Sequence, residues 1–421
     1  MNLLEKILLI KRHELKATLV SFAFVFVLMA AYYILRPVRD AMASDWTDAE
    51  VSLLWTLNFF ASAAIVALYG AAVSKIKFQS LVPGVYAFFG LTFLAFYAAI
   101  NLFDERTLID KTFYLWVSVF SLFHISVFWS FMSDIYNKQQ ATRLFGFIAS
   151  GASAGALLGP SIPALFAGRL GTDTLLLIAA LMLMFPVFFT VYLSKLKSTE
   201  LQNEQVHADL SAARIGGKPF AGFKLFLSNP YLLAIGVFIL LYTSISSFIY
   251  FEQKNLLAVY DRETRTQILG SLDWAVNILT FIIAIFGTSR LATKFGMPTT
   301  LAIVPVFIIG GMLILAAAPI ISVILGLQVA RRAGNYAITR PGREILFTNV
   351  DRETRFKAKP VIDIVVYRGG DMLNAWAFTG LTARLGLGLG AVAVVGAVIA
   401  SIWAITGVYL GRKFNNLSDV S

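Results

Sequence analysis

The feature of this sequence that most limits how it can fold is a succession of apolar runs, each about as long as a membrane is thick. Runs rich in Phe, Leu, Ile, Val and Ala recur from residue 17 to residue 410. About 20 helical residues cross a hydrocarbon core about 30 Å thick, because each residue adds about 1.5 Å. Strands of a membrane β-barrel would instead alternate over about 10 residues. The sequence therefore predicts an all-α, polytopic membrane protein.

The apolar runs number twelve, and the charges between them indicate an orientation. The predicted spans cover residues 17–37, 50–74, 80–103, 112–136, 145–167, 174–194, 230–252, 267–290, 298–316, 319–339, 361–383 and 388–410. Basic residues gather in alternate connections, whereas the loops 40–50 and 104–111 are acid-rich or short. Because Lys and Arg concentrate in cytoplasmic loops, we expect both termini in the cytoplasm and the protein in a bacterial inner membrane.

Composition excludes several classes of chemistry. The chain has 58% hydrophobic and 14% charged residues, so its net charge of +11 is explained by membrane topology rather than by a nucleic-acid partner. It has no Cys, which excludes disulfides and thiolate-bound clusters, and its three His residues are scattered and form no metal motif. No Walker A sequence is present. We therefore expect no cofactor, no metal and no enzyme activity.

A long polar interruption divides the predicted spans into two sets of six. We predict a cytoplasmic N-terminal segment at 1–16, a six-helix bundle at 17–194, a linker at 195–229, a second six-helix bundle at 230–411 and a cytoplasmic tail at 412–421. Two such halves are the plan of the major facilitator architecture, in which substrate binds near the middle of the membrane. This analogy predicts a fold and does not choose a substrate.

A faint internal repeat relates the two halves at a spacing of 219 residues. It aligns Ser52, Leu53, Trp55 and Asn58 with Ser271, Leu272, Trp274 and Asn277. Convergent use of Trp and Asn in membrane helices is the alternative explanation.

Charged side chains inside the predicted spans are the candidate functional residues, because ionised groups in a bilayer are costly and usually face a partner or a wet cavity. The first span ends with Arg36, Arg39 and Asp40, where the i,i+4 spacing allows Asp40 to neutralise Arg36. Guanidinium groups suit phosphate and carboxylate, because their donors form a planar fork. Interfacial anchoring is the alternative role for these arginines.

The second half supplies more such charges. Lys254, Arg331, Arg332, Arg343 and Arg368 are candidate anion ligands, and Glu252, Asp273, Asp363 and Asp371 are candidate counter-ions or proton-coupling groups, as is Asp40. Alternatives stay open for several: Glu252 and Lys254 as rim charges, Arg343 as an inner-gate or topology charge, and Arg368 with Asp371 as an intrahelical pair.

Glycines in two stretches are candidates for close helix packing. Gly151, Gly155 and Gly159 are four residues apart, which predicts a small-residue ridge rather than a phosphate loop. Gly369 and Gly370 would likewise let another helix or a ligand approach.

Three stretches resemble the ATP:ADP antiporter family, the nucleotide transporters of plastids and intracellular bacteria. ILRPVRD (34–40) is similar to the motif that ends the first span of that family, with Arg39 in place of a substrate-linked lysine. YAITRPGREILF (336–347) and DRETRFKAKPVIDIVVYRGG (351–370) are similar to its segment around spans ten and eleven. Matching positions there are Arg343, Glu344, Lys357, Lys359 and Asp363. The resemblance implies a transporter of twelve spans, adds Lys357 to the candidate substrate ligands, and loosely supports Glu252.

These observations predict a secondary active transporter that works by alternating access as a monomer. Its expected substrate is an ATP- or ADP-like nucleotide, exchanged or imported, or another phosphorylated organic anion. A proton-coupled exporter of amphipathic or organic-anion compounds is one alternative. A non-transporting membrane sensor or assembly partner is the other.

Overall fold

The computed structural model describes residues 10–75, 78–201, 221–286, 288–350, 358–359 and 361–418. Nearly all of them are helical and none forms a strand, which confirms the predicted all-α class. The α-helices are α1 (Leu15–Met42), α2 (Asp48–Lys75), α3 (Phe78–Leu102), α4 (Thr107–Ile135), α5 (Lys138–Leu158), α6 (Ser161–Met182), α7 (Phe185–Thr199), α8 (Ala221–Ser228), α9 (Pro230–Leu257), α10 (Arg262–Phe286), α11 (Thr288–Ala317), α12 (Ile321–Gly334), α13 (Arg340–Leu346), α14 (Tyr367–Thr379) and α15 (Leu389–Ser418).

Local sequence explains where two of these helices begin. Asn229 accepts hydrogen bonds from the N–H groups of Tyr231 and Leu232, and Pro230 occupies the first turn of α9, where its missing N–H group matters least. Asn137 and Gln140 cap α5 reciprocally, each side chain accepting from the other residue's main chain.

Two glycines bend helices where the apolar pattern predicts separate spans. Gly171 lies inside α6 at φ 76°, and Gly296 lies inside α11 at φ 75°. This left-handed region is accessible to glycine at little steric cost. Gly171 therefore bends α6 between the predicted fifth and sixth spans. Gly296 bends α11 just before the predicted ninth span.

Eight stretches among the described residues are long and apolar enough to cross a membrane. They are Arg12–Asp45, Ser80–Leu102, Thr107–Ile135, Arg143–Thr199, Pro230–Leu257, Arg262–Ile283, Lys294–Ala317 and Leu389–Leu417. Arg143–Thr199 is 57 residues long and contains two predicted spans. Helices α2, α12 and α14 occupy the predicted spans 50–74, 319–339 and 361–383 without being among the eight. The number twelve therefore stays a prediction.

The chain divides into two compact units. Unit 1 comprises Met1–Ala43, Phe60–Ile215 and Tyr260–Trp274, and unit 2 comprises Ser44–Phe59, Gly216–Val259 and Ala275–Ser421. The predicted bundles, 17–194 and 230–411, stay predictions. The units differ from them because 44–59, at the start of α2, belongs to unit 2, whereas 260–274, at the start of α10, belongs to unit 1.

In unit 1, helix α1 packs chiefly against α5, and the predicted glycine ridge makes this contact possible. A Cβ at Gly151 would lie 2.6 Å from the main-chain oxygen of Phe22, and one at Gly159 would lie 2.7 Å from that of Ala30. A Cβ at Gly155 would press on the main-chain oxygen of Phe26. The backbones are therefore too close for any side chain at these positions.

In unit 2, the strongest packing joins α11 to α15, and α9 packs on α15, α14 and α12. Gly370 brings α14 against α9, because a Cβ there would collide with the Thr243 hydroxyl. The first turns of α2 also pack within this unit. The Ser52 and Thr379 hydroxyls are 2.8 Å apart, and the Trp376 indole donates to the Thr56 hydroxyl.

Large apolar side chains cover much of the helix surface. Exposed examples include Phe60, Phe88, Phe188, Phe307 and Ile405. In water such a surface would favour aggregation, whereas in a bilayer it contacts lipid tails while the helices satisfy their own main-chain polar groups. The protein is accordingly an integral membrane protein.

We predict that Gly155→Ala weakens the α1–α5 contact. The added methyl group gains about 1 kcal/mol of helix propensity, but it forces the two backbones apart, and such overpacking typically costs about 1–3 kcal/mol. Gly146→Ala is the matched control on the same helix, because a Cβ there has open space around it. Thermal unfolding in detergent should give a lower Tm for Gly155→Ala alone. Equal Tm values for the two variants would contradict the packing.

We predict that Ser52→Cys and Thr379→Cys together form a disulfide, because their hydroxyl oxygens are 2.8 Å apart and an S–S bond of about 2.05 Å needs side chains this close. The natural chain has no Cys, so no other thiol competes. A mobility shift reversed by reductant should appear in the double variant and in neither single variant. Its absence after oxidation would argue against the placement of 44–59 in unit 2.

Candidate functional site

A cluster of two arginines and two carboxylates lies within unit 1. Arg39, near the end of α1, donates from Nε and Nη2 to Oδ1 of Asp40 at 2.9 and 2.6 Å, and from Nη1 to the Ser118 hydroxyl at 3.3 Å. Its guanidinium carbon lies 5.4 Å from the ring centroid of Tyr114. The geometry holds the Arg39 fork against α4 while its charge is balanced by the adjacent carboxylate.

Arg36 belongs to the same cluster. Its Nε atom lies 3.7 Å from Asp40 Oδ2, which is the predicted i,i+4 pair, and its Nη1 atom lies 3.9 Å from Asp273 Oδ1. Asp273 is buried on α10. Helix α1 continues through Pro37 to Met42, so both arginines remain on one helix.

Lys254, near the end of α9, is buried in unit 2 with a full set of partners. Its Nζ atom lies 3.0 Å from Asp48 Oδ1 and donates to the Trp46 main-chain oxygen at 2.7 Å and to Asn255 Oδ1 at 2.8 Å. Asp48 also accepts from the Thr382 hydroxyl. Sequence reasoning predicted Lys254 as a ligand but did not identify Asp48, because their pairing depends on a tertiary contact.

Glu252 has the opposite environment, although it is only two residues away. Its side chain has 0% exposure, and neither carboxylate oxygen has a hydrogen-bond partner among the described residues. A spacing of two residues places Glu252 and Lys254 on different helix faces. The lysine is therefore no counter-ion for this glutamate.

Arg331 is a buried cation that bonds only to neutral groups. The residue is 4% exposed on α12. Its Nε and Nη2 atoms donate to Oε1 of Gln328 at 2.9 and 2.7 Å, one turn earlier on the same helix. Its Nη1 atom donates to the Ser246 hydroxyl at 2.9 Å and to the Tyr242 hydroxyl at 3.2 Å.

Gln253 extends this set of contacts, because Gln328 Nε2 donates to its Oε1 atom at 2.9 Å. We call Arg331, Gln328, Gln253, Tyr242 and Ser246 the Arg331 network. Asp371, on α14, forms no ion pair with Arg331. In the described part of the chain, the guanidinium thus has no carboxylate in contact with it.

The helix that carries Arg331 continues through a π-helical turn, Asn335–Thr339, into α13. Such wide turns shift the register of the helix and are frequent at functional sites. Arg332 is buried beside Arg331, with 5% exposure. The predicted candidates Arg331 and Arg332 are therefore both inside the protein rather than facing lipid.

Arg343 belongs to a second charge cluster in unit 2. It lies 3.2 Å from both Glu344 and Asp363, while Lys359 contacts Glu344 and lies 3.8 Å from Asp363. Burial opposes ionisation of Glu344, but hydrogen bonds and charges from Lys359 and Arg343 lower the pKa of its carboxyl. The matched charges favour the gate or topology role for Arg343. Lys357 lies outside the described residues.

Arg368 and Asp371 are both half-buried on α14, which is flanked by π-helical turns at Val361–Val366 and Gly380–Arg384. Neither side chain forms an ion pair or hydrogen bond with another described residue. The alternative of a closed intrahelical pair is therefore not observed. Both groups retain donors and acceptors for a solute.

The polar members of the Arg331 network were not predicted from the sequence. Gln253 and Gln328 are uncharged amides within apolar runs, and such residues inside a membrane span usually have a partner or a function. That signal could have identified them. The hydroxyls of Tyr242 and Ser246 gave no comparable signal, because both residue types are common in membrane helices.

The fold and these buried charges define a helical membrane transporter. Residues 21–334 match the family model described as Major Facilitator Superfamily. The match covers more than half of the chain, so this protein belongs to the major facilitator superfamily.

Individual relatives agree with this assignment. ADP,ATP carrier protein 1 of Chlamydia pneumoniae is 20% identical over an alignment of 482 positions, which covers 96% of this chain and 92% of the carrier. This similarity supports the resemblance predicted from the three sequence stretches.

Solved structures share the fold at low sequence identity. The nucleoside transporter NupG matches with a TM-score of 0.62 at 15% identity, covering 97% of this chain and 99% of NupG. A bacterial homologue of the human lysosomal transporter Spinster, solved in an inward-facing conformation, matches with a TM-score of 0.59 at 13% identity, covering 97% and 98% of the two chains.

We predict that Asp48→Asn destabilises the protein by leaving Lys254 without a carboxylate. Removing one member of a buried ion pair typically costs about 3–5 kcal/mol, so Tm in detergent should fall clearly. The double variant Asp48→Asn with Lys254→Gln should recover much of that loss. Asp104→Asn is the control, because Asp104 is exposed. If Asp48→Asn were as stable as the wild type, the Lys254–Asp48 ion pair would contribute nothing to stability.

Proposed function

We propose that this protein exchanges or imports a nucleotide, or another phosphorylated organic anion, by alternating access. Membership in the major facilitator superfamily supports transport, and similarity to an ADP,ATP carrier favours an anionic substrate. The finer assignment depends on this chain's own charges.

Arg331 is the observation that carries the proposal. A buried cation without a carboxylate in contact is costly in a bilayer, so its retention requires a compensating role. A phosphate group would supply the missing negative charge and accept from the guanidinium fork. The hydroxyls of Tyr242 and Ser246 would then be free to donate to the same anion, because each can act as donor or acceptor.

The remaining candidate cations differ in whether a carboxylate contacts them in this structure. Arg36, Arg39, Lys254 and Arg343 contact carboxylates. Each could exchange its internal carboxylate for a substrate phosphate, so Asp40, Asp273 and Asp363 would act as counter-ions when the substrate has left. Arg368 needs no such exchange. Arg332 and Lys357 remain proposed substrate ligands, and Asp371 a proposed counter-ion, because of their places in the sequence alone.

The rival functions make different demands. An exporter of amphipathic compounds would need no buried cation bonded only to neutral acceptors, whereas a sensor or assembly partner would need no exchange of charge partners. The Arg331 network therefore favours anion transport over both. A proton-coupled exporter of organic anions differs from the proposal in its direction and its coupling.

Proteoliposomes preloaded with ADP, with phosphate or with buffer alone would test the proposal. Uptake of labelled ADP that requires internal ADP would identify an exchanger, and uptake into empty vesicles would identify an importer. Indifference to every nucleotide and to phosphate, with efflux of an amphipathic dye driven by a pH gradient, would replace the proposal with the exporter. Absence of transport in every condition by a protein that remains monodisperse would favour the sensor.

We predict that Arg331→Gln weakens ADP binding to the purified protein. Hydrogen bonds to a charged group contribute about 1.5–3 kcal/mol, which corresponds to an increase in Kd of about 10-fold to 150-fold. Arg331→Lys keeps the charge but loses the planar guanidinium fork, so its Kd should lie between that of the wild type and that of Arg331→Gln. Arg412→Gln is the matched control, because Arg412 is exposed on α15. An unchanged Kd in Arg331→Gln would exclude this residue from the site.

A further inference from the structure

Glu252 is a buried acid that the anion site does not use. Helical side chains generally lie over the preceding turn of their own helix. That turn contributes Phe248 and Ile249, with exposures of 2% and 0%. Phe248 and Phe251 also pack against Phe378 of α14, with ring centroids 5.4 and 5.0 Å apart. Glu252 is thus fully buried in a stretch of α9 where Phe248, Ile249 and Phe251 are buried as well.

No donor or cation compensates this carboxyl group in the described part of the chain. Helix α9 packs against α8, α12, α14, α15 and the turn Val361–Val366. The charged and titratable groups on those elements, and on the first turn of α2, are Lys224, Arg331, Arg332, Asp363, Tyr367, Arg368, Asp371, Tyr409, Arg412, Lys413, Asp48 and Glu50. None of them forms an ion pair or hydrogen bond with Glu252. An ionised carboxylate without donors is very costly in such surroundings, whereas a protonated one is much less so.

The acid is linked to the anion site through its neighbour. Gln253 follows Glu252 directly and accepts from Gln328, which in turn accepts from Arg331. Ser246 and Tyr242, which bind Arg331, precede Glu252 by about two and three turns of the same helix. A movement of α9 that brings water to Glu252 would therefore also alter the contacts of Arg331.

We propose that Glu252 is a proton-binding site coupled to the Arg331 network, so that the protein carries a proton together with its anionic substrate. While Glu252 stays buried without a donor or cation, it keeps its proton. When a movement of α9 releases the anion from Arg331 and brings water to Glu252, the proton passes to water, so that substrate and proton leave on the same side of the membrane. This inference rests on the proposed transport function and specifies its coupling ion.

Glu252→Gln tests the proposal, because glutamine imitates the protonated acid in shape and charge. In proteoliposomes with an acidic exterior, the wild type should accumulate labelled ADP and the variant should not. ADP counterflow at equal pH should persist in the variant, since exchange needs no net proton release. Glu105→Gln is the control, because Glu105 is exposed in a loop.

An infrared measurement on purified protein separates this inference from the proposed function. A pH difference spectrum should contain a C=O stretching band of a protonated carboxyl that disappears in Glu252→Gln and persists in Glu105→Gln. A band unaffected by Glu252→Gln would overturn the proton site. The band together with ADP accumulation that ignores a pH gradient would overturn the coupling and leave anion transport intact. The band without ADP or phosphate transport would overturn the anionic substrate and leave the proton site.

Discussion

The cost of placing a charge in an apolar interior is the constraint on which the rest of this structure depends. Several buried charges of the described residues have an opposite charge beside them, as in Lys254 with Asp48 and in Lys197 with Asp134, whose Nζ and Oδ2 atoms are 3.0 Å apart. A cation bonded only to amides and hydroxyls and an acid bonded to no described residue are exceptions to this pairing. Both exceptions lie on α9 and its neighbour α12, and the transport proposal rests on them.

The sequence predicted those features that depend on local spacing. Runs of apolar residues about as long as a bilayer is thick give helices, glycines four residues apart give the ridge against α1, and the i,i+4 relation gives Arg36 with Asp40. Each needs only the geometry of one helix.

Features that depend on tertiary contact were not predicted. Asp48 meets Lys254, and Ser246 meets Arg331, across more than 80 residues of sequence. The bend at Gly171 and the π-helical turns beside Arg331 and Arg368 are also invisible to an apolar pattern, because they leave the composition of the runs unchanged. Sequence could therefore nominate Arg331 as a buried cation, but not show that its partners are neutral.

The two helix segments that leave their expected bundles have a consequence for how the polypeptide matures. Unit 1 includes 260–274, which a ribosome synthesises only after the N-terminal spans, the linker and α9. Until that stretch emerges, Asp273 is absent from Arg36, and Arg262 is absent from Asp110, with which it forms a 2.9 Å ion pair. Unit 1 therefore cannot complete its packing in the bilayer until residues 260–274 have been synthesised.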